Sequence, residues 1–523
     1  MTETIDAVRA ALDPERRAAF ERRVEREAES LRGDVAAGLF DAPDFAVGLE
    51  LEGYVVDEDG SLAAAPDHLF DIDGCSRELG VHNAELHTAP DVVCDAGLRR
   101  QLDELDATHS TVQRTLAESD RRFVLDAMWT VPPSEGTVRY LERGEETDGV
   151  FLATNMRPVP RYVALGSRIR EANGGRTDLD LPGLASAKSM LVESLATSMQ
   201  PHLQVPDPAD VPRYLNVATR TMGPILSLTA NSPFLPADRY EGEWAGDDGL
   251  AAILERTPHE LRIPIFERSV DEGSNKCRVP RDVETIDELI DRIASDPTLV
   301  APPDLDDPVE SGDPTGKGDV GSDRYPAFGA KRGTYWRWVR PVFGGDVPRG
   351  ADGGPSPDAD EGSVRIEYRP LPTQPTLRDT VGVQSLVVGV LVGVDATDHP
   401  LATLLWEKGR DSFYAAVDDG PDADLRWVTR EGERTTATGR IYDELFALAR
   451  RGLDELGVGA ETIEWALAPI EARRESAHTA PSAWKRAAVR DAVADGASVS
   501  TAVREMQSTY VERSASGVPF AQW

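Results

Sequence analysis

Between residues 45 and 57 the chain reads FAVGLELEGYVVD, an apolar run with glutamates at alternate positions. A strand repeats every two residues, so Glu50 and Glu52 share one face while Leu49 and Leu51 share the other. Any fold built on this stretch must bury the leucine face and offset two neighbouring carboxylates on the opposite one. A solvated strand edge would do so with water; a bound cation would do so by coordination.

Two further segments bear on that choice. Glu85 in NAELHTAP and Glu367 in VRIEYRPLP also sit in alternating, strand-like stretches, so four carboxylates are predicted on one sheet face. Clustered like charges are costly unless a cation lies among them, and hard oxygen ligands suit Mg²⁺ or Mn²⁺. In SMQPHLQVP the alternation puts Gln200, His202 and Gln204 on one face, the lining of a polar cleft or a set of satisfied structural side chains. VRIEYRP aligns Arg365, Glu367 and Arg369, and GTYWRWVRP adds Arg337 and Arg340, which point to opposite faces if that strand is regular. Such a row is either a surface ion-pair ladder of little energetic weight or a bidentate clamp for phosphate oxygens.

The remaining pattern predicts one or two amphipathic helices over residues 1–40, a turn at DEDG, a helix over 95–119 and a strand at RRFVLDAMW. MLVESLATSMQPHLQVP reads as a strand or strand pair. A helix follows over DPADVPRYLNVATRTMGPILSLTA, capped by Asp207 with Pro208 in its first turn. Residues 301–323 and 344–363 are acidic, Gly- and Pro-rich, and too poor in apolar side chains to order themselves, which predicts inserts more readily than active-site lids. The region from about 380 to 510 is mostly helical in pattern.

Composition narrows the function. With 56 basic against 92 acidic residues the net charge is −36, which disfavours nucleic acid and anionic membranes as partners. The basic residues are overwhelmingly Arg, and the balance predicts a halophilic protein working in molar salt, where the Debye length falls to about 3 Å. No apolar run approaches the ~20 residues of a membrane span and the charged N-terminal helix is no signal peptide, so a cytoplasmic location is expected. Cys75, Cys94 and Cys277 have neither metal-site nor disulfide spacing. No GxxxxGK[ST] or strand-to-helix GxGxxG occurs, so a bound nucleotide would have its phosphates held by metals and arginines on a sheet.

GLELEG, AELHTAP, MQPHLQV with PILSLTANSPF, GTYWRWVRP and VRIEYRPLPTQPTLRD occur in that order. Together they resemble the glutamate–cysteine ligases, among the carboxylate–amine ligases related to glutamine synthetase, over residues 45–415. The resemblance implies an α+β fold, a twisted antiparallel sheet curled into a funnel with helices outside. With the residue pattern on either side, the chain is expected to divide into a helical segment 1–40, a catalytic domain 41–415 carrying the two acidic inserts, and a mainly helical region 416–523. Like the inserts, that last region departs from the family's pattern. The resemblance also implies that Glu50, Glu52, Glu85, His202 and Glu367 hold Mg²⁺ and that Gln200, Trp336, Arg340 and Arg365 contact ATP. By the same likeness Arg369, with Glu367, stands at the reacting centre, and Arg262 or Arg268 in ELRIPIFERS takes a substrate carboxylate. The implied reaction joins the γ-carboxylate of glutamate to an amine such as cysteine through an acyl phosphate. The same fold acting on another amine, or a non-catalytic binding relative, are the alternatives. The sequence gives no oligomeric state.

Overall fold

The computed structural model describes residues 2–271, 273–302, 324–354 and 362–523. Of the expected acidic inserts, residues 303–323 and 355–361 lie outside the described residues. Residues 344–354, expected not to order themselves, are instead tied to the sheet, because Arg349 bridges to Asp91 and pairs with it at 2.6 Å and with Glu104 at 2.5 Å. The chain begins with helices Thr2–Leu12 and Pro14–Ala36. Asp13 caps the second, accepting from the Arg16 amide at 2.9 Å, and Pro14 occupies its first turn, where no amide hydrogen is needed. Phe20, Val24, Ala28 and Leu31 make its buried stripe.

The strands are β1 Ala46–Asp57, β2 Cys75–Arg77, β3 Asn83–His87, β4 Asp91–Val92 and β5 Arg121–Val124, then the hairpins β6 Gly144–Thr147 with β7 Val150–Ala153 and β8 Thr177–Leu181 with β9 Leu184–Ala187. β10 Met199–Val205, β11 Val339–Phe343 and β12 Val364–Tyr368 complete the main sheet, whose order is β11-β12-β10-β1-β3-β2, with β4 and β5 also paired to β1. Every pairing in it is antiparallel. The expected α+β class, an antiparallel sheet with helices packed outside, is the one observed.

β1 is the axis of the molecule because its two faces differ so sharply. Leu49, Leu51 and Val55 join Leu86, Leu203 and Ile366 in the core, beneath helices Asp95–Ala117, Val211–Thr229 and Leu377–Ala396. Helix Leu377–Ala396 is long and apolar enough to cross a membrane by length and composition, contrary to the expectation that no such run exists; here it is a core helix, buried within the protein. Glycines on it and on helix Thr438–Glu455 explain the close packing of the two. A Cβ on Gly393 would lie 2.0 Å from the Leu448 carbonyl oxygen, and one on Gly452 would lie 2.0 Å from that of Gly389.

Three local expectations change. MLVESL is not extended: Met190–Leu195 is a 3₁₀ helix capped by Ser189, and only Met199–Val205 is strand. The alternation continued through two kinds of backbone because the whole segment is buried, which removes the contrast that periodicity needs. Asp207 caps a short 3₁₀ turn, Pro208–Asp210, and the long helix starts at Val211 with Pro212 in its first turn. GTYWRW precedes the strand rather than forming it, since β11 begins at Val339.

Residues 416–523 are mainly helical, with one short hairpin of Trp427–Val428 against Arg434–Thr435, and buried polar contacts fasten them to the rest of the chain. Arg473 pairs with Asp379 at 2.9 Å, both side chains fully out of solvent, and Lys485 pairs with Asp126 while donating to the Asn231 carbonyl at 2.7 Å.

Candidate active site

Strand register assembles the acids. Glu50 lies opposite Gln200 on β10 and His87 on β3, Glu52 opposite Glu85, and Glu367 opposite both His202 and Arg340. Among the described residues two groups could hold a metal ion: Glu50, His202 and Glu367, and Glu52, Glu78 and Glu85, each with ligand atoms within 4.8 Å of one another. Two unit charges at such a separation repel by roughly 3 kcal/mol at an effective dielectric near 20. A divalent cation reverses that sign. Carboxylate oxygens with one imidazole, and no thiolate, fit Mg²⁺ or Mn²⁺. Glu78 was not foreseen. It follows β2 in SRELG, outside any alternating run, and only the pairing of β2 with β3 brings it beside Glu85.

The protein orients these acids as well. Glu52 accepts from the Ser198 amide at 2.8 Å and from Gln200 at 3.3 Å, and fully buried Glu85 accepts from Ser76 at 3.3 Å. Glu367 receives Arg340 as a fork, Nε to Oε2 at 2.7 Å and Nη2 to Oε1 at 3.0 Å, and also Arg369. Burial alone would push the Glu367 carboxyl up, but Arg340 and Arg369 outweigh it and hold it well below the usual carboxylate range. Glu367 is therefore an anion at any working pH, with lone pairs beyond those the arginines use. Arg369 also donates to Gln200 Oε1 at 2.6 Å.

His202 accepts from Arg365 Nε at its Nδ1, 3.1 Å away, and its Nε2 faces Glu50 at 3.5 Å. A neutral ring in this arrangement carries its proton on Nε2, so ligation through that nitrogen requires Arg365 to release Nδ1. Gln204 turns to the Asp44 carbonyl, 3.1 Å away.

The two candidate substrate arginines separate clearly. Helix Arg262–Ser269 starts beside the NSPF segment, where Ser232 Oγ accepts the Arg262 amide at 3.3 Å and donates to Glu260 at 2.6 Å. Arg262 is 1% exposed, donates Nη2 to the Arg369 carbonyl at 3.0 Å, and stands over the rings of Phe266 and Trp338. Its Nε and Nη1 find no hydrogen-bond partner among the described residues. Arg268 is exposed and bonds the Leu179 carbonyl, so the structure does not bring it to the acids. Trp336 is half-buried against the core, and Arg337 is directed to the Asn275 carbonyl at 2.8 Å.

A second acid missed in the sequence is Glu193, on the 3₁₀ helix read above as strand. It accepts from Ser269 Oγ at 2.7 Å. Burial pushes its carboxyl up to about 8, with the charges of Glu52 and Glu78 adding to the effect and Ser269 and Arg262 opposing it.

By class the chain is a ligase: residues 46–507 match the model of glutamate-cysteine ligase family 2. The chain belongs to that family. No curated protein matches its sequence. Among solved structures it is similar to a glutamate–cysteine ligase from Francisella tularensis in complex with AMP, at 14% identity and a TM-score of 0.48, covering 92% of this chain and 94% of that one. It is also similar to a bifunctional glutathione synthetase from Pasteurella multocida, at 15% identity and a TM-score of 0.49, covering 90% of this chain and 52% of the other.

Proposed function

We propose that the protein joins the γ-carboxylate of glutamate to the amine of cysteine at the expense of ATP, with Mg²⁺ or Mn²⁺ held by Glu50, His202 and Glu367 and by Glu52, Glu78 and Glu85. The observation that carries this reading is the placement of both acid groups and the Arg340–Glu367–Arg369 cluster on or beside one sheet. Bound there, divalent ions would supply neutralisation of phosphate charge. Arg369, half-buried, offers a planar fork to the phosphoryl group in transit, and Arg340 keeps Glu367 ionised and fixed. Arg262 takes the substrate's α-carboxylate through the two nitrogens that find no hydrogen-bond partner among the described residues. The γ-carboxylate oxygen attacks the γ-phosphorus of ATP, ADP leaves, and the amine nitrogen then displaces phosphate from the acyl carbon. The burial of Glu85 and Glu367 suits this order, because a hydrolysable acyl phosphate needs surroundings that exclude water.

The test is ADP and phosphate release with ATP, glutamate and a panel of amines, in Mg²⁺ and molar KCl, the salt chosen for the −36 charge. Cysteine-dependent release of both supports the reading. Release with a different amine keeps the class and changes the acceptor. Absence of release with every amine overturns it in favour of a binding or regulatory protein.

A further inference from the structure

Lys485, on helix Pro481–Ala494, and Asp126, just past β5, form an ion pair with both side chains out of solvent. Gln507, on helix Val499–Ala515, donates to the other carboxylate oxygen of Asp126 at 2.8 Å and accepts from Thr130 Oγ1 at 2.6 Å. Desolvating two charges is costly, and well-packed apolar side chains would hold these helices in place at least as well. The pair does one thing that apolar residues cannot: it fixes the backbone that holds Glu52.

Two short paths lead there. Lys485 Nζ donates to the Asn231 carbonyl at 2.7 Å, and the Asn231 side-chain amide donates to the Thr373 carbonyl at 2.8 Å and to the Tyr510 hydroxyl at 2.9 Å. Thr373 Oγ1 in turn donates to the Glu52 carbonyl at 2.9 Å. On the second path the Asp126 carbonyl accepts the Thr197 hydroxyl, and the Ala127 carbonyl accepts the Thr197 amide at 3.0 Å. Asp126 Oδ1 braces that turn by accepting the Ala127 amide at 2.7 Å. The next residue along, Ser198, donates its amide to the Glu52 carboxylate at 2.8 Å.

We propose that Lys485 and Gln507 are positioning residues for the acid group of Glu52, Glu78 and Glu85, acting through Asp126 and Asn231. The two helices near the end of the chain thereby complete a site otherwise built on or beside the sheet. The inference rests on the metal reading above and adds to it the residues that aim one of the ligands. A ligand that keeps its carboxylate but loses its supporting hydrogen bonds binds its ion roughly ten- to a hundredfold more weakly.

The test is Mn²⁺ binding to the full chain in molar KCl, followed by electron paramagnetic resonance, with melting temperature measured alongside. Glu78→Gln and Glu50→Gln mark which bound Mn²⁺ belongs to which acid group. Lys485→Met with Asp126→Asn withdraws both charges together, so no buried ion is stranded and the melting temperature should stay close to that of the wild type. This double variant should weaken the Glu78-dependent Mn²⁺ about tenfold and leave the Glu50-dependent one unchanged. A merely structural pair would leave both ions bound as before, or weaken both alike, and either result overturns the proposal. So does a wild type that holds no Glu78-dependent Mn²⁺. If the double variant does not fold, Gln507→Met, which keeps the Lys485–Asp126 pair, decides on the same comparison. Selective weakening in a protein that releases no ADP with any amine would defeat the ligase reading and leave the positioning role standing.

Discussion

Arg340 on β11 and Glu367 on β12 are register partners that close a two-pronged pair at 2.7 and 3.0 Å, with side chains 10% and 2% exposed. A buried pair of this kind is dangerous to break and cheap to replace. Arg340→Met should cost about 1–3 kcal/mol, because it removes two hydrogen bonds from a desolvated carboxylate that Arg369 still pairs. Arg340→Met with Glu367→Leu should recover most of the melting temperature and remain inactive. Thermal melts of the single and double variants decide whether the pair is kept for stability or for the site.

Glu50 and Glu78 belong to different acid groups. Glu50→Gln and Glu78→Gln should each raise the Mg²⁺ needed for half-maximal turnover by ~10-fold or more. Each should leave the metal-free protein as stable as before or slightly more so, since one member of a repelling set is gone. Turnover titrated with Mg²⁺ is the measurement, and an unchanged midpoint would remove that acid from the ligand set.

Arg369→Lys preserves charge and removes the fork. If the guanidinium grips the transferring phosphoryl group, turnover at saturating ATP and glutamate should fall by roughly a hundredfold, about 3 kcal/mol in the transition state. Near-normal turnover would make Arg369 only a member of an ion-pair row. Melting temperature serves as the control.

Glu260, fully buried and tied to Ser232 and the Asn231 amide, has its carboxyl pushed by burial from 4.5 to about 7. A raised carboxyl favours folding fully below its unfolded value, and that contribution is lost as pH rises through about 7. The loss is on the order of 3 kcal/mol. Glu260→Gln can keep both hydrogen bonds without a charge to bury. Its stability relative to wild type should therefore climb as pH is raised from 5 to 8, measured by denaturant melts in molar KCl. His82, lowered by burial to about 4, works in the opposite direction in both proteins and cancels in the comparison. A constant difference across that range would show that Glu260 does not titrate there.

Much of the site was legible as alternation. Glu50, Glu52, Glu85, His202, Glu367 and Arg369 could be named because a strand exposed on one polar face writes its period into the sequence, and the structure brings all of them onto or beside one sheet. The residues that escaped are those whose position depends on a partner distant in sequence. Glu78 follows a three-residue strand and gains its neighbours only when β2 pairs with β3. Glu193 sits in a buried 3₁₀ turn, where apolar surroundings on every side erase the periodic signal. The choice between Arg262 and Arg268 was equally closed to sequence, since both lie on one short helix and only its packing decides which of them is buried.

The sequence by itself determined that two glutamates two residues apart must share a face opposite a pair of core leucines, because the backbone of a strand permits nothing else. It also determined the acid-rich composition and the identity of the basic partners. Only the tertiary structure decided which strand lies against which, and therefore that Glu50 meets His202 and Glu367 while Glu52 meets Glu78 and Glu85. Register between distant strands is set by the packing of whole faces against the core, a property of the assembled sheet that no single stretch of chain contains.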